Sequence, residues 1–155
     1  MNWTRLLPDL YLGSCPASPQ DVLSISEAGI GVVVNLQLPE DIETHSLSWA
    51  DLTAEYDALD MVFVHVPMDD NEPESVRVNL TRAVGVIHAH IEDGWAVYLH
   101  CTSGVNRAPT VAIGYLAAHA DMDLDEAYAH VTERRACLPF FEVVEEWYTH
   151  DFEGT

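Results

Sequence analysis

Apolar positions fall into short β-branched runs alternating with longer stretches at three- and four-residue spacing. Leu10-Tyr11-Leu12-Gly13 predicts a strand closed by a turn. Gly31 to Leu36 and Met61 to Val66, both valine-rich and bounded by breakers, predict buried strands, as does Ala96 to His100. Between them, Ser18 followed by Pro19 marks a helix start that runs toward Gly29, and Ser48 caps a second helix. From Pro73 to Asp93 the positions Val76, Leu80, Ala83, Val84, Ile87 and Ile91 describe one face of a long amphipathic helix ended at Gly94. Pro109 opens another helix through His119. Asp123 to Arg135 carries acids in its first turn and arginines in its last, and Phe141 to His150 supplies the final helix, with Phe141 and Trp147 as core residues. Strands alternating with helices predict an α/β three-layer sandwich, a central mostly parallel sheet flanked by helices, formed by residues 1–155 as one domain.

Charge narrows the partners. The chain has 26 acidic and 6 basic residues, all six arginine, for a formal net charge of -20. The acids are spread along the whole length, so the surface as a whole repels nucleic acid and anionic membrane, and neither is expected as a partner. Acidity without lysine resembles the proteins of salt-loving microbes, with a merely acidic mesophilic protein as the alternative. No apolar run reaches the ~20 residues that span a bilayer, and the first residues lack the apolar stretch of a secretory signal. Cys15, Cys101 and Cys137 are an odd number with no C-x-x-C spacing, which favours a reducing compartment. A cytoplasmic monomer is the expectation. Cys15 and Cys137 read as packing residues, or else as partners for an oxidised Cys101. His88 and His90 are expected in solvent, without metal.

The chemistry is concentrated in Val97-Tyr98-Leu99-His100-Cys101-Thr102-Ser103-Gly104-Val105-Asn106-Arg107-Ala108-Pro109-Thr110. Cysteine and arginine stand six apart between an apolar strand and a Pro-initiated helix, with glycine in mid-loop. Such a loop can wrap a tetrahedral anion: successive amides from Thr102, Ser103, Gly104, Val105 and Asn106 to Arg107 point inward, and the following helix N-terminus adds positive potential. Arg107 can grip two phosphate oxygens with its planar fork. The same field favours the thiolate of Cys101, a nucleophile. His100 is expected to orient the loop rather than act as a base. An alkoxide leaves badly unless protonated, so a general acid is required, and Asp69 or Asp70, in the loop after the strand ending at Val66-Pro67, can supply it.

Over nearly its whole length the chain resembles the dual-specificity branch of the protein tyrosine phosphatase superfamily. The resemblance rests on Leu10 to Ser14, Val33-Val34-Asn35-Leu36, Val66-Pro67-Met68-Asp69-Asp70-Asn71 and His100 to Thr110. It implies the cysteine-phosphatase fold, a nucleophilic Cys101, phosphate binding by Arg107 and the loop amides, and no metal or organic cofactor. In that family the acid lies three residues after the loop proline, which selects Asp70 over Asp69. The implied substrate is a phosphoprotein carrying phosphotyrosine, phosphoserine or phosphothreonine. A phosphoglucan is the alternative, because Gly13-Ser14, Asn35-Leu36-Gln37 with Asp41-Ile42-Glu43, and Arg107-Ala108-Pro109 resemble plant starch phosphatases. Against it, Thr44 and His45 stand where those enzymes carry aromatics, and Ala89 replaces a tryptophan. Ala108 stands where Ser or Thr is common in the wider family, which implies slower hydrolysis of the intermediate. A phosphate-binding pseudoenzyme is disfavoured by the intact Cys101, Arg107 and Asp70 set, and an arsenate reductase by the lack of nearby resolving cysteines.

Overall fold

The computed structural model describes residues 1–152. In chain order the strands are β1 Trp3–Leu7, β2 Leu10–Gly13, β3 Val32–Asn35, β4 Val62–His65 and β5 Val97–His100. The helices are α1 Pro19–Glu27, α2 Pro39–His45, α3 Trp49–Ala58, α4 Pro73–Glu92, α5 Arg107–His119, α6 Leu124–Arg134 and α7 Phe141–Glu146, which continues as a π-helix over Trp147–Phe152. The sheet order is β1-β2-β5-β3-β4, with β1 antiparallel to β2 and every other pairing parallel.

Period-two alternation along the strands divides the core into two layers. Val32, Val34, Leu10, Leu12, Val97 and Leu99 face α4, α5, α6 and α7. Tyr11, Val33 and Tyr98 face the other way, onto Val22 and Ile25 of α1 and Leu52 and Tyr56 of α3. Parallel strands covered on both faces are apolar at nearly every position, and the central strands β3 and β5 are wholly buried, including their polar last residues Asn35 and His100. The expected three-layer α/β sandwich is therefore present. Ser18 and Ser48 cap α1 and α3, accepting from the amides of Asp21 and Asp51 at 3.1 and 3.2 Å.

Several expectations need correction. The edge strand β1 and the short helix α2 were not foreseen. Helix α5 begins at Arg107, two residues before Pro109. The expected single helix Phe141 to His150 divides after Glu146. Trp147 is buried there, its indole N–H donating to Thr81 Oγ1 at 3.0 Å, whereas Phe141 is only half-buried, edge-on to Tyr128 at 5.2 Å. His88 and His90 are half-buried rather than free in solvent: His88 lies flat on His119 at 3.7 Å between α4 and α5. Among the described residues no helix is long and apolar enough to cross a membrane.

Candidate active site

The segment from Cys101 to Asn106 joins the buried C-terminal end of β5 to the N-terminus of α5, and each of its carbonyls is engaged by a donor of the surrounding scaffold. The carbonyl of Cys101 accepts from His100 Nδ1 at 2.9 Å, and that of Thr102 from the Cys15 amide at 2.9 Å. Ser103 and Gly104 carbonyls both accept from the Arg135 guanidinium, at 3.1 and 2.8 Å. The Val105 carbonyl takes the Leu138 amide at 2.8 Å, and that of Asn106 takes the Thr110 hydroxyl at 2.7 Å. In a trans peptide the N–H points opposite to the C=O, and among the described residues there are no cis peptides. Six outward carbonyls therefore turn the amides of Thr102 to Arg107 inward, into one anion-binding nest. Gly104 has a positive φ of 73°, and a side chain there would meet Arg135 and, at 2.7 Å, the Gly13 carbonyl oxygen, so the turn requires glycine.

Cys101 Sγ is buried and accepts the Ala108 amide at 3.5 Å, inside the first turn of α5. Arg107 is 3% exposed and divides its fork in two. Its Nη1 is committed to the scaffold, donating to Asp41 Oδ2 at 2.8 Å, the Met68 carbonyl at 3.0 Å and the Leu36 carbonyl at 3.5 Å. The opposite edge stays available: Nε is buried without a partner among the described residues, and Nη2 makes one long bond of 3.3 Å to Thr102 Oγ1. A buried, unpaired guanidinium N–H is costly unless an anion completes it. That edge, beside the amide nest, has the geometry for two oxygens of one phosphate.

The two aspartates are separated by what they already bind. Asp69 closes its own turn, accepting from the Asn71 amide at 2.9 Å while its N–H donates to Ser75 Oγ at 3.0 Å. Asp70 Oδ2 lies 3.9 Å from Arg107 Nη2 on a half-exposed side chain, so it faces the loop. His100 is fully buried, and burial pulls its pKa down to about 4, leaving a neutral ring whose Nδ1–H serves the Cys101 carbonyl. The predicted group Cys101, Thr102 to Arg107, His100 and Asp70 is thus assembled in one place, with Asp69 beside it. Sequence reasoning missed Asp41, Gln37 and Arg135. Gln37 is buried and ties the loop to α2, donating to Thr102 Oγ1 at 3.1 Å and accepting from Ser46 Oγ at 3.2 Å. Asp41 also accepts the Leu38 amide at 3.1 Å, so the residue that caps α2 is the one that holds Arg107. An acid two residues after Pro39 was a visible capping signal, but its arginine partner lies 66 residues away.

Residues 10–146 match the family described as dual specificity phosphatase, catalytic domain. The chain belongs to this family. Its relatives among characterised proteins include the chloroplastic phosphoglucan phosphatase LSF1 of Arabidopsis thaliana, 27% identical over 90% of this chain and 24% of that protein. Human dual specificity protein phosphatase 16 is 33% identical over 87% of this chain and 18% of its own length. The dual specificity phosphatase domain described here therefore spans about a quarter or less of these two relatives. Among solved structures, Tk-PTP in its active form superposes with a TM-score of 0.80 over 99% of this chain and 97% of that one, at 20% identity, and PTPMT1 with 0.79 over 96% and 95%, at 16% identity. Both likenesses concern the fold.

Proposed function

We propose that this dual specificity phosphatase domain hydrolyses phosphate monoesters through a cysteinyl-phosphate intermediate, with phosphotyrosine, phosphoserine or phosphothreonine of a protein as the substrate. The observation that carries the reading is the ring of outward carbonyls around Cys101, which leaves six amides and the free edge of Arg107 for one tetrahedral dianion. In the first step the Cys101 thiolate forms an S–P bond as the P–O bond to the leaving group breaks, and Asp70 gives its proton to the departing oxygen. In the second, water loses a proton to Asp70 and attacks phosphorus, the S–P bond breaks, inorganic phosphate is released, and the thiolate and the protonated Asp70 are regenerated. Thr102 to Asn106, through their amides, and Arg107 hold the equatorial oxygens in both steps, where charge is greatest. His100 positions the loop carbonyl. The chemistry draws on no metal or organic cofactor.

Hydrolysis of a phosphoglucan is the second reading, supported by the phosphoglucan phosphatases among the relatives at 27% and 28% identity. Parallel release of phosphate from phosphotyrosine peptides, phosphothreonine peptides and phosphorylated glucan separates the two. Cys101→Ser is expected to abolish turnover of an aryl phosphate while tungstate or vanadate still binds, because amides and Arg107 remain. Undiminished turnover in the variant removes Cys101 as the nucleophile. EDTA should leave the wild-type rate unchanged, and a loss restored by a divalent ion would overturn the mechanism.

A further inference from the structure

An open cavity of about 500 Å³ is lined by Pro39, Ile42, Glu43, Ser48, Trp49, Ala50 and His65, and shares α2 with the residue that holds Arg107. It is built onto the site. Ile42 and Glu43 follow Asp41, which grips Arg107 at 2.8 Å, and His65 Nε2 meets the Gln37 carbonyl at 2.6 Å while the Gln37 side chain bonds Thr102. Trp49, at the N-terminus of α3, is 47% exposed. Its ring is held in place by packing against Phe63 at 5.2 Å and His65 at 5.1 Å, so an aromatic surface is fixed and open to solvent.

The charge around this ring is mainly negative, with Arg82 Nη2 reaching the His65 carbonyl from α4 at 3.3 Å. From Gln37 to His65 the chain carries seven carboxylates and no lysine or arginine. The arginine that Asp41 holds is buried in the phosphate loop, and Glu43 enters the cavity wall itself. A fixed indole surface beside a carboxylate, with apolar walls of proline and isoleucine, is a receptor for a cation on an apolar stem: the ring quadrupole attracts the charge, Glu43 pairs with it, and the walls cover the methylenes. Arginine fits best, because its plane can stack on an indole.

We propose that this cavity is a specificity subsite that takes a basic side chain, arginine above all, adjacent to the phosphorylated residue of a protein substrate. The inference rests on the phosphatase reading and adds the substrate's flanking chemistry. In that arrangement the phosphate enters the positive nest and the neighbouring cation enters the negative wall, so a substrate carrying both signs is matched to both halves of the site.

The test uses phosphotyrosine peptides identical except for Arg, Ala or Glu scanned through the positions flanking the phosphotyrosine, at one salt concentration. What is read is the ratio of kcat/KM between the Arg and Ala peptides within each variant, so losses of folding or of chemistry cancel. The wild-type protein should prefer Arg at one flanking position by about 5-fold. Trp49→Ala should bring that ratio near 1, and Glu43→Lys should reverse the order of the Arg and Glu peptides. Equal rates for all peptides, or an Arg preference that survives both substitutions, overturns the proposal. So does a Trp49→Ala defect confined to phosphorylated glucan, which would make the ring a sugar platform while leaving the phosphatase reading intact. Release of phosphate from none of the substrates would instead sink the phosphatase reading itself.

Discussion

A general acid must carry a proton at the leaving oxygen, and adjacent aspartates cannot serve equally when one carboxylate is already engaged. Asp69 accepts from Asn71 within its turn, while Asp70 is directed at Arg107. Asp70→Asn is therefore expected to lower kcat for alkyl phosphates by roughly 100-fold or more, with Asp69→Asn far milder, and the effect should shrink for p-nitrophenyl phosphate, whose leaving group needs little protonation. Kinetics on both substrates check it, and the reverse ranking would move the acid to Asp69. His100 gives a pH signature of a different kind. Its ordinary pKa of 6.5 applies in the unfolded chain, and in the folded protein burial lowers it to about 4. Between those values the unfolded chain binds the proton and the folded one does not, so folding loses stability as pH falls from about 6.5 toward about 4, and nothing is lost above it. The slope from this one group approaches ~1.4 kcal/mol per pH unit. His100→Asn keeps a donor and cannot titrate, so its urea midpoint should fall less than that of the wild type between pH 7 and pH 5. Parallel curves for the two proteins would exclude His100 as a source of acid sensitivity.

At the scale of elements, the loop is shaped from outside by pieces that sequence periodicity does not connect. Arg135, just past the end of α6, binds Ser103 and Gly104 carbonyls with one guanidinium and adds Asn2 Oδ1 at 2.7 Å. Neighbouring Arg134 is exposed and donates to the His130 carbonyl of its own helix. Arg135→Ala should thus reduce kcat/KM for an aryl phosphate about 10-fold or more by freeing two loop carbonyls, whereas Arg134→Ala should be near neutral, and weakened tungstate binding in the first variant alone would tie the defect to the nest. Equal effects of the two would show a generic charge contribution. This contrast marks what was legible beforehand. Local signals sufficed for the long helix α4, for the Ser18 and Ser48 caps, and for the cysteine-to-arginine loop, because each is written within a few consecutive residues. Arg135 read as a last-turn cation, since its partners are 31 and more residues distant. Helix α2 escaped notice because it has seven residues and Leu38 at its cap, and β1 because five residues identify themselves only by pairing with β2 and by Trp3 packing on Tyr11 and Tyr98.

For the molecule as a whole, the question is how a chain of formal charge -20 admits a phosphate dianion. Few acids are neutralised. Among the described residues Arg77 meets Glu74, Asp151 and Glu146, and Arg107 meets Asp41 and Asp70. Within the described residues the remaining four arginines are turned to neutral acceptors: Arg5 to Pro8, Arg82 to His65, Arg134 to His130 and Arg135 to the loop. At low ionic strength the surface therefore opposes both an approaching dianion and its own compact state. In the proposed mechanism the amides and Arg107 act within contact distance of the bound phosphate, while most acids act through solvent. At about 1 M salt the screening length falls to ~3 Å, which hides the distant carboxylates and leaves those contacts almost intact. Both kcat/KM for p-nitrophenyl phosphate and Tm are accordingly expected to rise between ~0.05 and ~1 M KCl, the first through KM rather than kcat, because the field acts on approach and not on the bonded intermediate. Melting curves and initial rates over a salt series measure the two together. Flat or falling profiles in both would mean that the acidic surface neither repels substrate nor strains the fold, and the acidity would then need a source other than salt adaptation.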